Sequence, residues 1–418
     1  MEWDARRLIE SEVGRRSLFK SRESLAPEYT PSALPHRDSE LRALASYFKS
    51  LLENPGSMHQ SILVTGGVGT GKTTLVRVFV KNLVEIAGER GVSLDYAYVN
   101  CYRNRTLYSV ISEISLQQGI PVPVRGLSPM EVMDLVLSRL EEEDKHLLLI
   151  LDDFHYFASM AGREDLYFLA RIYESRDAAR RLNTILVSTD TGVARFMDPV
   201  TESYLSRHVV KLNPYTSKQL LDILRYRASQ ALREDSYSDE VLELIADYEG
   251  VDRGGEGNAR HALTVLLTAG DIAEREGADR LSAEHVRRAI AGLSRELVRI
   301  TDLVGYLALH EQLLLLSIVR LLRRRNTSAV GIGEVEEEYR MLCSLYNEIP
   351  RKHTQLYEYV RSLTRAGVIS TTVKSLGNRG RTTMISLHYG PLEKLEQYLS
   401  EQISRKIAGG RQGGPRRV

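Results

Sequence analysis

The eight residues Gly66-Gly67-Val68-Gly69-Thr70-Gly71-Lys72-Thr73 constrain this chain more than any other stretch. They satisfy G-x-x-x-x-G-K-[ST] and lie between a short apolar run, residues 61–65 (SILVT), and a helical pattern that Thr74 continues. A buried strand, a glycine loop and a helix in direct succession are the parts of a parallel sheet with helices on both faces. The glycines let the backbone curl so that several N–H groups converge, and the following helix adds its positive end, which makes a phosphate site. In that site Gly67, Val68, Gly69, Thr70, Gly71 and Thr74 line the phosphate chain. Lys72 supplies charge to the β- and γ-phosphates, and the Thr73 hydroxyl is a ligand for Mg²⁺. Residues 96–100, 147–151 and 184–188 are further strand candidates, each separated from the next by helical stretches.

Such a loop works with a carboxylate at the end of a neighbouring strand, and residues 147–151 followed by Asp152-Asp153 supply one. Asp152 is expected to share the Mg²⁺ shell with Thr73, and Asp153 to polarise an attacking water. Residues 184–188 run into Ser188-Thr189-Asp190, polar groups at the carboxyl edge of a strand, where ligands of open α/β sheets gather. Thr189 is the candidate sensor of the γ-phosphate there. Gly257-Asn258-Ala259-Arg260 opens a later helix with Asn258 as its N-cap, which brings Arg260 toward a phosphate from a second element.

At 418 residues, 43% hydrophobic and 27% charged, the chain is globular and too long for a single core. Upstream of the loop, an extended stretch over 26–35 leads into one expected helix over 40–52, stopped by Asn54-Pro55-Gly56. Asn213-Pro214 ends the alternation of strands and helices. From 216 to about 295 only helical faces recur, marked by Leu220 and Leu224, Val241 and Ile245, and Leu263 and Leu266. The expected division is a nucleotide-binding core with an N-terminal arm over 1–212, an all-helical lid over 213–298 and a third domain over 299–418. No apolar run approaches the roughly 18–20 residues of a membrane helix, and the start MEWDARRLIESE offers no secretory signal. Cys101 and Cys343 lie far apart and in no metal-ligand spacing, which suits a reducing compartment.

The net charge of +1 hides an asymmetry: residues 300–418 carry 18 Lys+Arg against 11 Asp+Glu, whereas 1–299 carry 38 against 44. A basic last third suggests a polyanionic partner. A long helix around 307–325 ends in Arg323-Arg324-Arg325. Pro350 opens a second helix with Leu356, Val360 and Leu363 on one face and Arg351, His353, Thr354, Tyr357, Arg361 and Arg365 on the other, Lys352 standing at its head. Residues 368–374, a turn over 376–381 with Arg379 and Arg381, and residues 382–387 then read as a hairpin. Helix, strand, basic tip, strand is the order of a winged helix. Its helix suits a major groove, and the two tip arginines suit the backbone or the minor groove. The final GGRQGGPRRV is Gly- and Arg-rich and is expected to be disordered.

With P-loop, acidic pair, lid arginine and winged helix in this order, residues 17–390 resemble the AAA+ replication initiators. The likeness is to the archaeal relatives of the origin-recognition complex and the cell-division-control helicase loader. Residues 29–37 (YTPSALPHR) are similar to the family's segment beside the adenine, which implies that Leu34, Pro35 and Arg37 flank the base. Asn213-Pro214-Tyr215 resembles its entry into the lid, with Tyr215 at the nucleotide, and residues 257–263 (GNARHAL) resemble its sensor-2 helix, which makes Arg260 the sensor arginine. The resemblance implies ATP/ADP and Mg²⁺ as cofactors and double-stranded origin DNA as ligand. It implies the replicative helicase and paralogous initiator subunits as partners, and a cytoplasmic, nucleoid-associated protein with no membrane attachment. It further implies a DNA contact from inserted helices, with Arg103 and Arg105 as candidates, and an arginine finger at Arg207.

Two departures matter. Asp152-Asp153 stands where the family has Asp-Glu, so the second carboxylate is one methylene short, and Thr189 replaces the usual sensor asparagine. Together they imply a slow ATPase, a switch that holds its nucleotide tightly. In such a switch the γ-phosphate biases the angle between core and lid, and the winged helix follows the lid. The rivals are a signalling ATPase whose winged helix is packed inside the protein for protein contacts, and a transposition-type or helicase-loading ATPase with little sequence preference of its own.

Overall fold

A computed structural model describes residues 17–121, 126–172, 177–189, 193, 195–293, 303–325, 327, 329–375, 381–387 and 392–410. The chain divides into two compact units, Met1–Gly292 and Leu293–Val418. Among the described residues no helix is long and apolar enough to cross a membrane, and Cys101 and Cys343 are buried free thiols.

The first unit holds a parallel sheet of five strands: β1 (Ser61–Gly66), β2 (Leu94–Asn100), β3 (His146–Asp152), β4 (Leu182–Ser188) and β5 (His208–Leu212), in the order β2-β3-β4-β1-β5. Every residue of β3 and β4 is buried, so their continuous apolar runs are those of central strands covered on both faces. Alternate side chains feed two cores. Leu147, Leu149 and Leu151 pack on one side with α4 (Leu107–Gln117) and α5 (Pro129–Glu142). Leu148 and Ile150 pack on the other with α1 (Asp38–Tyr47) and α3 (Lys72–Glu89). Thr106 and Ser128 open α4 and α5 with capping boxes, each satisfying end N–H groups that the helix itself cannot.

Three expectations are corrected here. The acidic strand β3 does not neighbour β1, because β4 pairs with both and stands between them. The helix expected over 40–52 is two, α1 and α2 (Lys49–Glu53), broken at Phe48, whose fully buried ring packs against Phe79. Strand β5 was not anticipated. It is a five-residue edge strand whose alternating burial leaves too few apolar positions to stand out.

After α5 the first unit continues through the short helices α6 (Phe154–Met160), α7 (Arg163–Arg171) and α8 (Pro199–Leu205), and α9 (Ser217–Ala231), α10 (Asp239–Glu249), α11 (Ala259–Arg275) and α12 (Ala283–Gly292) form the expected helical lid. The segment before α1 runs along it. Phe19 makes a β-bridge to Leu232, the Arg227 guanidinium donates to the Ser24 carbonyl at 2.6 Å, and Arg22 pairs with Asp271 and Glu274. This segment, read from the sequence as an arm of the core, is packed on the lid.

The second unit is built on α13 (Leu309–Arg325), buried along most of its length. Around it lie β6 (Ala329–Gly331), α14 (Ile332–Leu345), α15 (His353–Arg365), β7 (Ser370–Ser375), β8 (Arg381–Ser386) and α16 (Leu392–Gly410), with the strands antiparallel in the order β6-β8-β7. This is a winged helix. Arg381 is not at the hairpin tip: it opens β8 opposite Ser375. Arg379 lies outside the described residues. Of the stretch expected to be disordered, Gly409 and Gly410 instead close α16, and the rest, residues 411–418, lies outside the described residues.

Candidate functional site

Strand β1 delivers the loop and α3 carries its first charged residue. Gly71 caps α3 with a left-handed backbone (φ 88°) and no side-chain cap, so the first N–H groups of the helix, at Lys72, Thr73 and Thr74, have no intrahelical acceptor. That is a donor set suited to phosphate oxygens. The Lys72 ammonium lies over the loop, donating to the Gly66 and Gly67 carbonyls at 2.7 and 2.8 Å. The Thr70 hydroxyl donates to the Gly67 carbonyl, and Val68 is half-buried in the same loop.

Although β4 separates their strands, Thr73 and Asp152 meet: the hydroxyl lies 3.0 and 3.2 Å from the two carboxylate oxygens. Asp152 is 2% exposed. Burial, then the neighbouring Asp153, push its carboxyl above the usual range, and hydrogen bonds from Tyr98 and Thr73 oppose that rise. The Tyr98 hydroxyl donates to Asp152 in a short bond, and burial followed by that carboxylate drives the phenol's own pKa upward. Arg77 of α3 donates to the Tyr98 oxygen at 3.1 Å and stacks on the ring at 4.8 Å. Asp153 adopts a left-handed backbone (φ 54°) and accepts from the Asn100 amide at 3.2 Å. Tyr98, Asn100 and Arg77 were missed from the sequence. Tyr98 and Asn100 alternate on β2 with Asn100 in register with Asp152, a signal that appears only once strand pairing is known.

Behind the acidic pair, His155 is pushed down to about 4, by burial first and then by the Lys72 charge, and its Nδ1 is buried with no hydrogen-bond partner among the described residues. Thr189 follows β4 at the same sheet edge, one residue beyond Ser188, which is in register with Thr65 of β1. Its carbonyl accepts from the Ser188 hydroxyl.

The lid reaches the loop directly. Asn258 caps α11, and the Ala259 N–H donates to the Gly69 carbonyl at 3.1 Å. Gly69 tolerates no side chain, since a Cβ there would lie 1.7 Å from the Asn258 Oδ1. Arg260 is the next residue, half-buried in the first turn of α11. Arg37 ties core to lid from the other side. Its buried guanidinium donates to the Thr70 and Asn213 carbonyls at 3.0 and 2.9 Å and to the Tyr215 hydroxyl at 2.9 Å, and it pairs with Glu40 at 2.7 Å. It also lies 4.0 Å over the Tyr215 ring, whose hydroxyl is 3.1 Å from where a Gly71 Cβ would sit. Leu34 packs on the core beneath α1, and Pro35 is half-buried beside it.

Three candidates of the first unit lie away from the loop. Arg207 is exposed at the amino edge of β5, the opposite end of the sheet from the loop. Arg103 and Arg105 lie in the β2–α4 turn, where Arg105 donates to the Tyr102 carbonyl and stacks on its ring at 4.4 Å. In the second unit α15 buries Leu356, Val360 and Leu363 and exposes His353, Thr354, Arg361 and Arg365, with Tyr357 half-buried, and Arg351 and Lys352 are exposed just before its first turn. His353 is 2.6 Å from Glu336.

The basic surplus of this unit is redistributed by pairing. Arg320 and Arg323 meet Glu396, Arg324 meets Glu338, Arg325 meets Glu334, Arg340 meets Glu336, and Arg361 meets Glu358. Arg351 and Lys352 have no carboxylate partner among the described residues.

Family models match the chain in three consecutive stretches: an AAA domain over 57–196, a Cdc6 AAA+ ATPase-type lid domain over 221–291 and a CDC6 C-terminal winged helix domain over 302–397. An ORC1-type DNA replication protein 2 of Saccharolobus solfataricus is 38% identical, over 93% of this chain and 95% of that protein. The ORC2 protein of Aeropyrum pernix, solved in ADPNP and ADP complexes, is 32% identical with a TM-score of 0.64, over 94% of this chain and all of that one. The ORC1 protein of the same organism, solved in complex with DNA, is 30% identical with a TM-score of 0.67, over 94% and 98%.

Proposed function

Because the chain belongs to the archaeal ORC1/Cdc6-type family of DNA replication proteins, we propose that it is an ATP-regulated initiator that binds duplex origin DNA and helps to recruit the replicative helicase. The observation that carries this reading is the meeting of two helix starts at one loop. The N-terminus of α3 and that of α11 converge at Gly69, so a nucleotide on the loop touches core and lid together. Such a ligand shifts the equilibrium between their arrangements only by interacting differently with each. The relatives solved with ADPNP, ADP and DNA support the same assignment.

In this reading the N–H groups of residues 67–74 and Lys72 hold ATP or ADP, with Arg260 and Thr189 facing the γ-phosphate. Leu34, Pro35 and Tyr215 form the base side, and Arg37 fixes that side through Tyr215 and the loop carbonyl of Thr70. Thr73 and Asp152 present two hard oxygens suited to Mg²⁺, which when bound would neutralise phosphate charge. Asp153 orients the attacking water and, held back by Asn100, does so poorly, which makes the protein a slow ATPase. Arg207, remote from its own chain's site, serves a paralogous neighbour. Arg351, Lys352, His353, Thr354 and Tyr357 form the DNA face of α15, with Arg379 and Arg381 from the hairpin and Arg103 and Arg105 from the core adding contacts.

The test is nucleotide and DNA binding by Lys72→Ala. Nucleotide affinity should fall at least about 100-fold, the loss of charge-assisted phosphate contacts, while DNA binding without nucleotide persists. Loss of both would place the DNA contact in the nucleotide site itself.

A further inference from the structure

Ile349 is 80% exposed, more than any other large hydrophobic side chain described in this protein. It does not lie on a slack loop. Asn347 turns the chain with a positive φ of 56°, and the Glu348 N–H bonds to the Cys343 carbonyl at 2.8 Å. Pro350 follows, restricting Ile349 to extended backbone. On the far side the Arg351 N–H donates to the Tyr339 hydroxyl at 3.1 Å, an oxygen also 2.8 Å from His310 Nδ1, and the Tyr339 side chain is fully buried. The turn is tied on both flanks, and an aliphatic side chain is held out in water between the ties.

The charge beside it says what covers it. Most described arginines of this unit spend their charge on internal carboxylates, from Arg320 to Arg325 and again at Arg340 and Arg361. The two cations that follow Ile349-Pro350, Arg351 and Lys352, do not. An exposed apolar residue next to two cations with no carboxylate partner among the described residues, at the head of an amphipathic helix, matches a surface with anionic rails and an apolar feature between them. The major groove is such a surface, with phosphates at its rim and the thymine C5-methyl on its floor.

We propose that Ile349 is a specificity residue that packs on a thymine methyl while Arg351 and Lys352 hold the flanking phosphates. The inference rests on the reading of α15 as the DNA-facing helix, and it adds the base that this helix prefers at its head.

The experiment uses the full chain. A bound consensus is selected from a pool of random-sequence duplexes, and each thymine of that duplex is then replaced in turn by deoxyuridine, which removes only the methyl. The wild type should lose about four-fold in affinity at one thymine of the site, the worth of one buried methyl-sized contact. Ile349→Ala should lose about as much on the thymine duplex and be indifferent to deoxyuridine at that position. Because the residue is exposed, the variant should melt with the wild type. Equal affinity and an equal deoxyuridine pattern in Ile349→Ala and wild type would overturn the proposal, and would point instead to a protein covering Ile349 together with exposed Met341 and Leu345. Arg351→Ala with Lys352→Ala, measured in parallel, separates the two failures. If that pair also leaves DNA affinity and its salt slope unchanged, the reading of α15 itself has failed.

Discussion

Asp152 sits in a competition between burial, which favours its protonated form, and the hydroxyls of Tyr98 and Thr73, which favour the carboxylate. Tyr98 would therefore act, through Asp152, on a Mg²⁺ held there, and such supporting partners are typically worth about ten-fold or more in metal affinity. Tyr98→Phe keeps the ring on Arg77 and should raise the Mg²⁺ concentration needed for half-maximal effect about ten-fold, read by titrating Mg²⁺ against a fluorescent ATP analogue. Affinity without Mg²⁺ should stay unchanged. Asp153, with its shorter reach and its bond to Asn100, implies multiple-turnover hydrolysis below about 1 s⁻¹, the low end of common enzyme rates. Asp153→Glu should raise it. His155 carries a pH dependence of definite sign. Folded, it holds off protonation until about pH 4, whereas unfolded it takes a proton near 6.5. Its contribution to stability is complete above about pH 6.5 and falls as pH drops toward 4, by at most about 3 kcal/mol. His155→Phe should flatten that limb of a stability-versus-pH curve measured by denaturant melts. The glycine loop and the acidic pair after β3 are legible in the sequence because local spacing alone places them. Tyr98 and Arg77 are not, because their role depends on strand register and on which turn of α3 faces β2.

At the scale of elements, the joint between α11 and the phosphate loop is the most consequential contact. Gly69→Ala places a methyl against Asn258 at a positive φ, so the lid helix must retreat from the loop. Nucleotide affinity should drop by about 5- to 150-fold, as expected for overpacking that costs about 1–3 kcal/mol, with little change in the fold of the core by circular dichroism. On the lid's outer side, Arg227 holds the segment around Ser24 and stacks over Tyr29 at 4.8 Å. Arg227→Ala should cost about 1–3 kcal/mol, the penalty for leaving buried acceptors unmet, and should make residues 17–30 the first site of limited proteolysis. That this segment belongs to the lid was not legible in its sequence. Its anchors, Phe19 to Leu232 and Arg22 to Asp271 and Glu274, lie more than 200 residues apart in the chain. Strands β1 to β4 were legible as apolar runs, whereas β5, short and half-exposed at a sheet edge, offered no comparable run.

For the whole molecule, the charge count pointed to a polyanionic partner but overstated how much positive surface is available. Glu334, Glu338, Glu393 and Glu396 meet the arginines at the end of α13, a pairing no composition can reveal. The salt dependence of DNA binding should accordingly reflect few phosphate contacts from α15, each contributing close to one unit of slope. Arg351→Ala with Lys352→Ala should reduce that slope by about two.

The central claim is that nucleotide at the seam of core and lid sets the protein's hold on DNA. The most direct measurement is the DNA affinity of the full chain, at fixed salt, with a non-hydrolysable ATP analogue and with ADP, for wild type and Lys72→Ala. A coupling of ordinary allosteric size gives at least about a five-fold difference between the two nucleotides in wild type and none in the variant. Equal affinities with both nucleotides in wild type would contradict the account.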